Sequence, residues 1–198
     1  MGGSGPQLAQ RLRKYSTGTF AGIFSQQSNI DINNQMVVFN IRDLEDELRP
    51  VAMYIVLNHI WNIVRAKQKR RLLIVDEAWQ LMKYDDSANF LFSLAKRARK
   101  YYLGLTTITQ DVEDFMSSKM GRAIVMNSSM QLLLKQSSAA VDVLSDVFKL
   151  TSAERQLLSS LPVGQGLFFA GQSHVHIQIV ASETETGLIT TNPVRYNR

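Results

Sequence analysis

Apolar residues recur along this chain with two different periods, and the alternation between those periods is the first structural signal. Residues 36–41, 72–75, 103–109 and 130–134 read as strands, while residues 50–66, the segments between 78 and 101, 112–127 and 139–148 read as helices. Runs such as Leu72-Leu73-Ile74-Val75 are apolar on both faces, as a parallel sheet covered by helices requires. The tail has a different character. Thr151-Ser152-Ala153-Glu154 has capping-box spacing and predicts a short helix to Leu161, stopped by Pro162 and Gly164. Residues 166–170 and 174–180 flank Gly171-Gln172-Ser173 and predict an antiparallel hairpin at one sheet edge. Residues 18–34 are polar without a clear period and predict irregular structure. The fold class is therefore α/β, with a mostly parallel sheet flanked by helices and an antiparallel C-terminal hairpin.

Composition narrows the classes. A chain of 198 residues, 45% of them hydrophobic, can bury the core of one domain, and no internal repeat or linker divides it. Residues 1–6 read as an initiator plus a flexible artificial leader, leaving residues 7–198 as the domain. The absence of cysteine excludes disulfides and thiolate metal sites and fits a reducing cytoplasm. Residues 51–64 are apolar but too short to span a bilayer, and Asn58, His59 and Asn62 interrupt them; they predict a buried helix in a soluble chain. A net charge of +5 favours a polyanionic partner only if the cations share a face. Two basic runs are candidates for that: Lys67, Lys69, Arg70 and Arg71, and then Lys96-Arg97-Ala98-Arg99-Lys100. Both read first as solvated surface.

The segment with the most chemistry is Leu72-Leu73-Ile74-Val75-Asp76-Glu77-Ala78-Trp79, an apolar strand that delivers two adjacent carboxylates to its C-terminal end. This is the form of a Walker B motif, because open α/β sheets bind ligands at that end of their strands. In that role Asp76 holds magnesium through water and Glu77 is the general base for an attacking water. Leu103-Gly104-Leu105-Thr106-Thr107-Ile108-Thr109-Gln110 is a second strand, and Gln110 either senses phosphate beside the carboxylates or simply caps a strand. Lys135 and Gln136 also follow a strand and read as an ordinary polar end. His174 and His176 share one strand face but lack a third metal ligand, so they read as edge-strand surface. Trp61, Trp79 and the eight methionines read as packing residues.

Taken together, residues 72–79 and Arg99-Lys100-Tyr101 running into Leu105-Thr106-Thr107-Ile108-Thr109-Gln110 resemble the Walker B and glutamine motifs of type IV secretion conjugative ATPases, the TraC and VirB-four-like group. Val38-Phe39-Asn40-Ile41-Arg42-Asp43-Leu44, Asn127-Ser128-Ser129 leading to residues 132–136, and Gly166-Leu167-Phe168-Phe169-Ala170-Gly171 extend the likeness over residues 20–182. The resemblance implies a RecA-like P-loop NTPase fold, ATP and magnesium as cofactors of a longer parent protein, and self-association in a ring, expected to be a hexamer. It implies type IV secretion components at the inner membrane as partners and a cytoplasmic location peripheral to that membrane. It gives Asp76 and Glu77 the magnesium and general-base roles and Gln110 the phosphate-sensing role. Among Arg97, Arg99 and Arg122, it makes Arg99 the candidate for an arginine acting on a neighbouring subunit's nucleotide.

One departure is plain: no segment matches G-x-x-x-x-G-K-[ST], the loop that cradles phosphates. The expectation is a C-terminal piece of an ATPase that drives pilus biogenesis or substrate transfer, inactive alone and binding no cofactor by itself. The alternatives are a piece of a HerA/FtsK-type DNA-translocating motor and a non-catalytic assembly module.

Overall fold

The computed structural model describes residues 4–27, 34–41 and 43–189. It divides into two compact units, residues 1–40 and 41–198. The first holds helices α1 (Ser4–Ser16) and α2 (Ala21–Phe24), with the Tyr15 ring edge-on to Phe24 at 5.3 Å and the Ser25 hydroxyl donating to the Tyr15 and Ser16 carbonyls. Helix α1 takes in Ser4-Gly5-Pro6, which the sequence reading set outside the fold; a proline in the first turn loses an N–H that has no helical partner there. The expected strand at residues 36–41 does not form. Met36 and Val38 stay exposed, at 81% and 73%, and none of the paired strands includes these residues. A strand without a cross-strand partner gains nothing from extension.

In the second unit, α3 (Arg49–Ala66) leads to β1 (Arg71–Val75), α4 (Trp79–Met82), α5 (Asp85–Ala98) and a 3₁₀ turn over Arg99–Tyr101. Then follow β2 (Leu103–Thr107), α6 (Val112–Ser117), α7 (Lys119–Asn127), β3 (Met130–Leu134), α8 (Ser138–Phe148), α9 (Ser152–Ser160), β4 (Gln165–Ala170), β5 (Ser173–Gln178) and α10 (Glu183–Ile189). β1 and β2 pair in parallel, Arg71 opposite Leu103 and Val75 opposite Thr107, so their C-terminal ends coincide. β3 instead joins β4 and β5 in an antiparallel sheet, with Met130 opposite Ala170. The hairpin turn is Gly171-Gln172, and Gly171 sits at φ 60°, where a side chain would be strained.

Each sheet buries one face. Val75 packs with Met53, Leu57, Leu81, Leu91 and Ile124, and Leu133 packs with Leu144, Leu158, Leu167 and Phe169. A fully buried leucine such as Leu91 contributes about 1.5–3 kcal/mol. The other faces remain open, leaving Leu72 81% and Ile74 62% exposed, and Met130, Leu132 and Leu134 are exposed as well. β2 and β3 line a common cleft of about 1480 Å³, and no strand bridges them among the described residues.

The single helix expected over residues 112–127 is broken at Ser118, which is extended (φ −74°, ψ 132°) and caps α7 by accepting from the Met120 N–H. Gly121 permits the tight turn, since a Cβ there would meet the Phe115 carbonyl oxygen at 1.9 Å. The capping box at Thr151 and Glu154 forms as the spacing predicts.

Candidate functional site

β1 ends on Val75, and the next two residues turn the chain sharply. Glu77 sits at φ 49°, a left-handed conformation that costs a residue with a Cβ free energy and is concentrated at functional sites. The Asp76 Oδ1 accepts from the Glu77 N–H at 2.9 Å, a local bond that helps offset this strain. Two backbone bonds then fasten the turn to the adjacent strand: Ile108 N–H donates to Val75 O, and Ala78 N–H donates to Ile108 O, both at 2.9 Å. The parallel register therefore brings the end of β2 beside the carboxylate pair.

Gln110 uses that proximity. Its Nε2 donates to Glu77 Oε1 at 2.8 Å, across a separation of 33 residues in the chain. The indole Nε1 of Trp79 donates to the other oxygen, Oε2, at 2.6 Å, so both oxygens of Glu77 are held. The Lys83 ammonium lies 4.3 Å from the Trp79 ring centroid and fixes the ring in turn. Glu77, Trp79, Gln110, Asp111 and Ser137 line a concavity of about 470 Å³. Trp79 is the residue that sequence reasoning missed. Its signal was available, an indole donor two positions after an acidic strand end, but packing explains most tryptophans equally well.

Asp76 is exposed. With one oxygen engaged by the backbone, it suits a magnesium ion that keeps most of its water, and no cluster of three or more His, Cys, Asp or Glu able to hold a metal occurs among the described residues. No segment of the sequence has the form G-x-x-x-x-G-K-[ST].

Arg99 lies elsewhere. It closes α5 and precedes β2, whereas Gln110 follows β2, so the five-residue strand, about 16 Å long, separates them. Arg97 donates to the Ser93 carbonyl and Arg122 to the Met116 carbonyl, while the exposed Arg99 guanidinium makes no hydrogen bond or ion pair to a described residue. Lys135 is exposed, and Gln136 donates to the Leu134 carbonyl. His174 Nδ1 meets Glu154 Oε1 at 2.8 Å and His176 Nε2 meets Gln165 Oε1 at 3.0 Å, so each histidine has a local partner.

Comparison with known proteins places this geometry. A family model described as the TraG P-loop domain matches residues 7–179. A type IV secretion system protein virB4 of Bartonella quintana (strain Toulouse) is 25% identical over 158 residues, 77% of this chain and 20% of that protein. Protein TraC of Escherichia coli (strain K12) is 29% identical over 133 residues, 62% of this chain and 15% of that protein. A solved structure of VirB4 of Thermoanaerobacter pseudethanolicus superposes with a TM-score of 0.84 at 29% identity, covering 91% of this chain and 51% of that one. The chain thus spans about a fifth of the curated VirB4 relative and half of the solved one. With the family model covering most of its residues and the motif carboxylates at the sheet's C-terminal end, the chain belongs to the TraG P-loop domain family, the VirB4- and TraC-like group of type IV secretion proteins.

Proposed function

We propose that this chain is the Walker B half of an ATP-hydrolysing domain whose longer parent protein powers a type IV secretion machine. The observation that carries the reading is the contact between Glu77 and Gln110 across the ends of two parallel strands. Glu77 is the general base, Gln110 orients it, and Asp76 holds the magnesium that neutralises phosphate charge when nucleotide is bound. Gln110 and Trp79 donate to the two oxygens, so the carboxylate is aimed before any ligand arrives. Such preorganisation removes an ordering cost from the reaction. The open sheet faces support the partial-domain reading. Parallel α/β sheets are covered on both sides, and here Leu72, Ile74, Met130 and Leu132 are exposed among the described residues. Apolar residues in that number are accounted for if further chain covers them in the parent.

The test is made in the longer protein. Glu77→Gln keeps the shape and removes the base, so hydrolysis falls by about 10²–10⁴-fold with nucleotide affinity nearly unchanged. Equal loss of affinity and rate would assign Glu77 a structural role and sink the reading.

A further inference from the structure

The two basic runs singled out in the sequence are separated by about thirty residues, and the β1–β2 register brings them together. Arg71 lies opposite Leu103, and its N–H donates to the Tyr102 carbonyl at 3.1 Å. The connector Lys67-Gln68-Lys69-Arg70 and the turn Arg99-Lys100-Tyr101-Tyr102 therefore meet at the N-terminal end of the strand pair, the end opposite the carboxylates. No Asp or Glu occurs anywhere in residues 48–75 or 87–110. Lys67, Lys69, Arg70, Arg99 and Lys100 are all exposed, and the ion pairs of the described residues lie elsewhere.

This is not a loose basic tail. The Arg71 guanidinium donates to the Lys67 carbonyl at 2.7 Å and pins the connector. Beneath it the buried Trp61 ring carries Arg97 at 5.4 Å and Arg65 at 5.8 Å, with the Tyr101 ring edge-on at 4.9 Å. Trp61 thus ties the C-terminal ends of α3 and α5 into one frame. Held together this way, five like charges repel one another with no ion pair to a carboxylate among the described residues, a cost that an anionic partner would remove. Next to them stands Tyr102, 60% exposed and held by a left-handed backbone at φ 54°.

We propose that this face binds single-stranded nucleic acid, with Lys67, Lys69, Arg70, Arg99 and Lys100 on successive phosphates and Tyr102 as a platform for a base. Fixed cations beside an exposed aromatic ring are the arrangement that tracks a phosphate backbone while stacking its bases. A bilayer surface is recognised instead by flexible polybasic segments or by an amphipathic helix, and this face has neither form. The proposal is independent of the carboxylate site, since no residue is shared.

The experiment is fluorescence anisotropy of a labelled oligothymidylate titrated with the full chain over a range of salt. Five neutralised phosphates give a slope of log K against log salt of about −3.5, at about −0.7 per phosphate. Replacing Lys67, Lys69 and Lys100 together by Gln flattens the slope to about −1.4 and weakens binding by roughly tenfold or more at low salt. The matched control replaces Lys119, Lys135 and Lys149 by Gln, three exposed lysines outside this face, and leaves both quantities nearly unchanged. Tyr102→Ala weakens binding without altering the slope. Circular dichroism melts confirm that each variant folds. Equal losses in the two triple variants would reduce the effect to bulk charge and overturn the proposal. So would an absence of binding at low salt, or binding to phosphatidylglycerol vesicles that the oligothymidylate does not compete away, which would make the face a lipid surface.

Discussion

Trp79 and Gln110 divide the two oxygens of Glu77 between them, and the division makes each donor separately testable. Trp79→Phe keeps an aromatic ring near Lys83 and removes the N–H together with part of the indole. A hydrogen bond to a charged group contributes about 1.5–3 kcal/mol, so urea denaturation should find the variant destabilised by about that amount. In the parent protein the same substitution should slow hydrolysis while barely changing nucleotide affinity, because it disturbs the aim of Glu77 and no part of a phosphate cradle. Unchanged turnover would return Trp79 to an ordinary packing role. The motif Asp76-Glu77 was legible in the sequence because an apolar strand run marks where its end must lie. The indole contact was not legible, since it depends on the left-handed turn at Glu77, and a residue with a Cβ gives no warning that it will adopt one.

Among the elements, the clearest lesson is α6 and α7. Their residues carry one uninterrupted apolar pattern, yet the chain breaks at Ser118 so that α7 packs on α5 while α6 packs on α4 and α8. Gly121→Ala forces a Cβ against the Phe115 carbonyl, and the required shift should cost about 1–3 kcal/mol in a thermal melt; a neutral result would mean that the turn can open freely. At α9 the Thr151 backbone N–H is the main cause holding the Glu154 carboxyl below the usual carboxylate range; burial opposes this, and the His174 contact adds to the lowering. A carboxylate whose folded pKa is depressed stabilises the fold above its unfolded pKa of about 4.3 and loses that contribution as pH falls through the folded value. Comparing Glu154→Gln with the unaltered chain, the stability difference should be full near neutral pH and vanish in acid. A difference independent of pH would show that the capping geometry, and not the charge, carries the effect. The capping box was legible because it is local. The strand expected at residues 36–41 failed because a strand also needs an edge to pair with.

For the molecule as a whole, the carboxylate site and Arg99 sit at opposite ends of β2. Within one subunit Arg99 does not meet Glu77, and the assignment of Arg99 to a neighbouring subunit's nucleotide becomes a question of assembly. An arginine acting across subunits contributes about 10³–10⁵ in rate with little effect on ground-state binding. Parent protein carrying Arg99→Ala, mixed with parent carrying Glu77→Gln, should then regain part of its ATPase activity through interfaces that pair the intact residues. Mixed oligomers as inactive as either variant, with subunit exchange verified, would confine Arg99 to its own subunit or to the basic face. The 198-residue chain by itself should show no micromolar affinity for Mg-ATP in calorimetric titration, because it has no glycine-rich loop ending in lysine; a clear binding isotherm would reveal a phosphate site of another kind.

By itself the sequence determined whatever depends on neighbours along the chain: the helical and strand periods, the capping box at Thr151, and the carboxylate pair at the end of an apolar run. Those signals are set by local geometry, so a window of a few residues carries them. Tertiary structure alone decided the pairing partners: that β3 joins β4 antiparallel and leaves a cleft beside β2, that Gln110 reaches Glu77, and that two basic runs become one face. Each of these joins residues distant in sequence through backbone registers, and a register is chosen by the burial of whole faces against helices, which no single segment encodes.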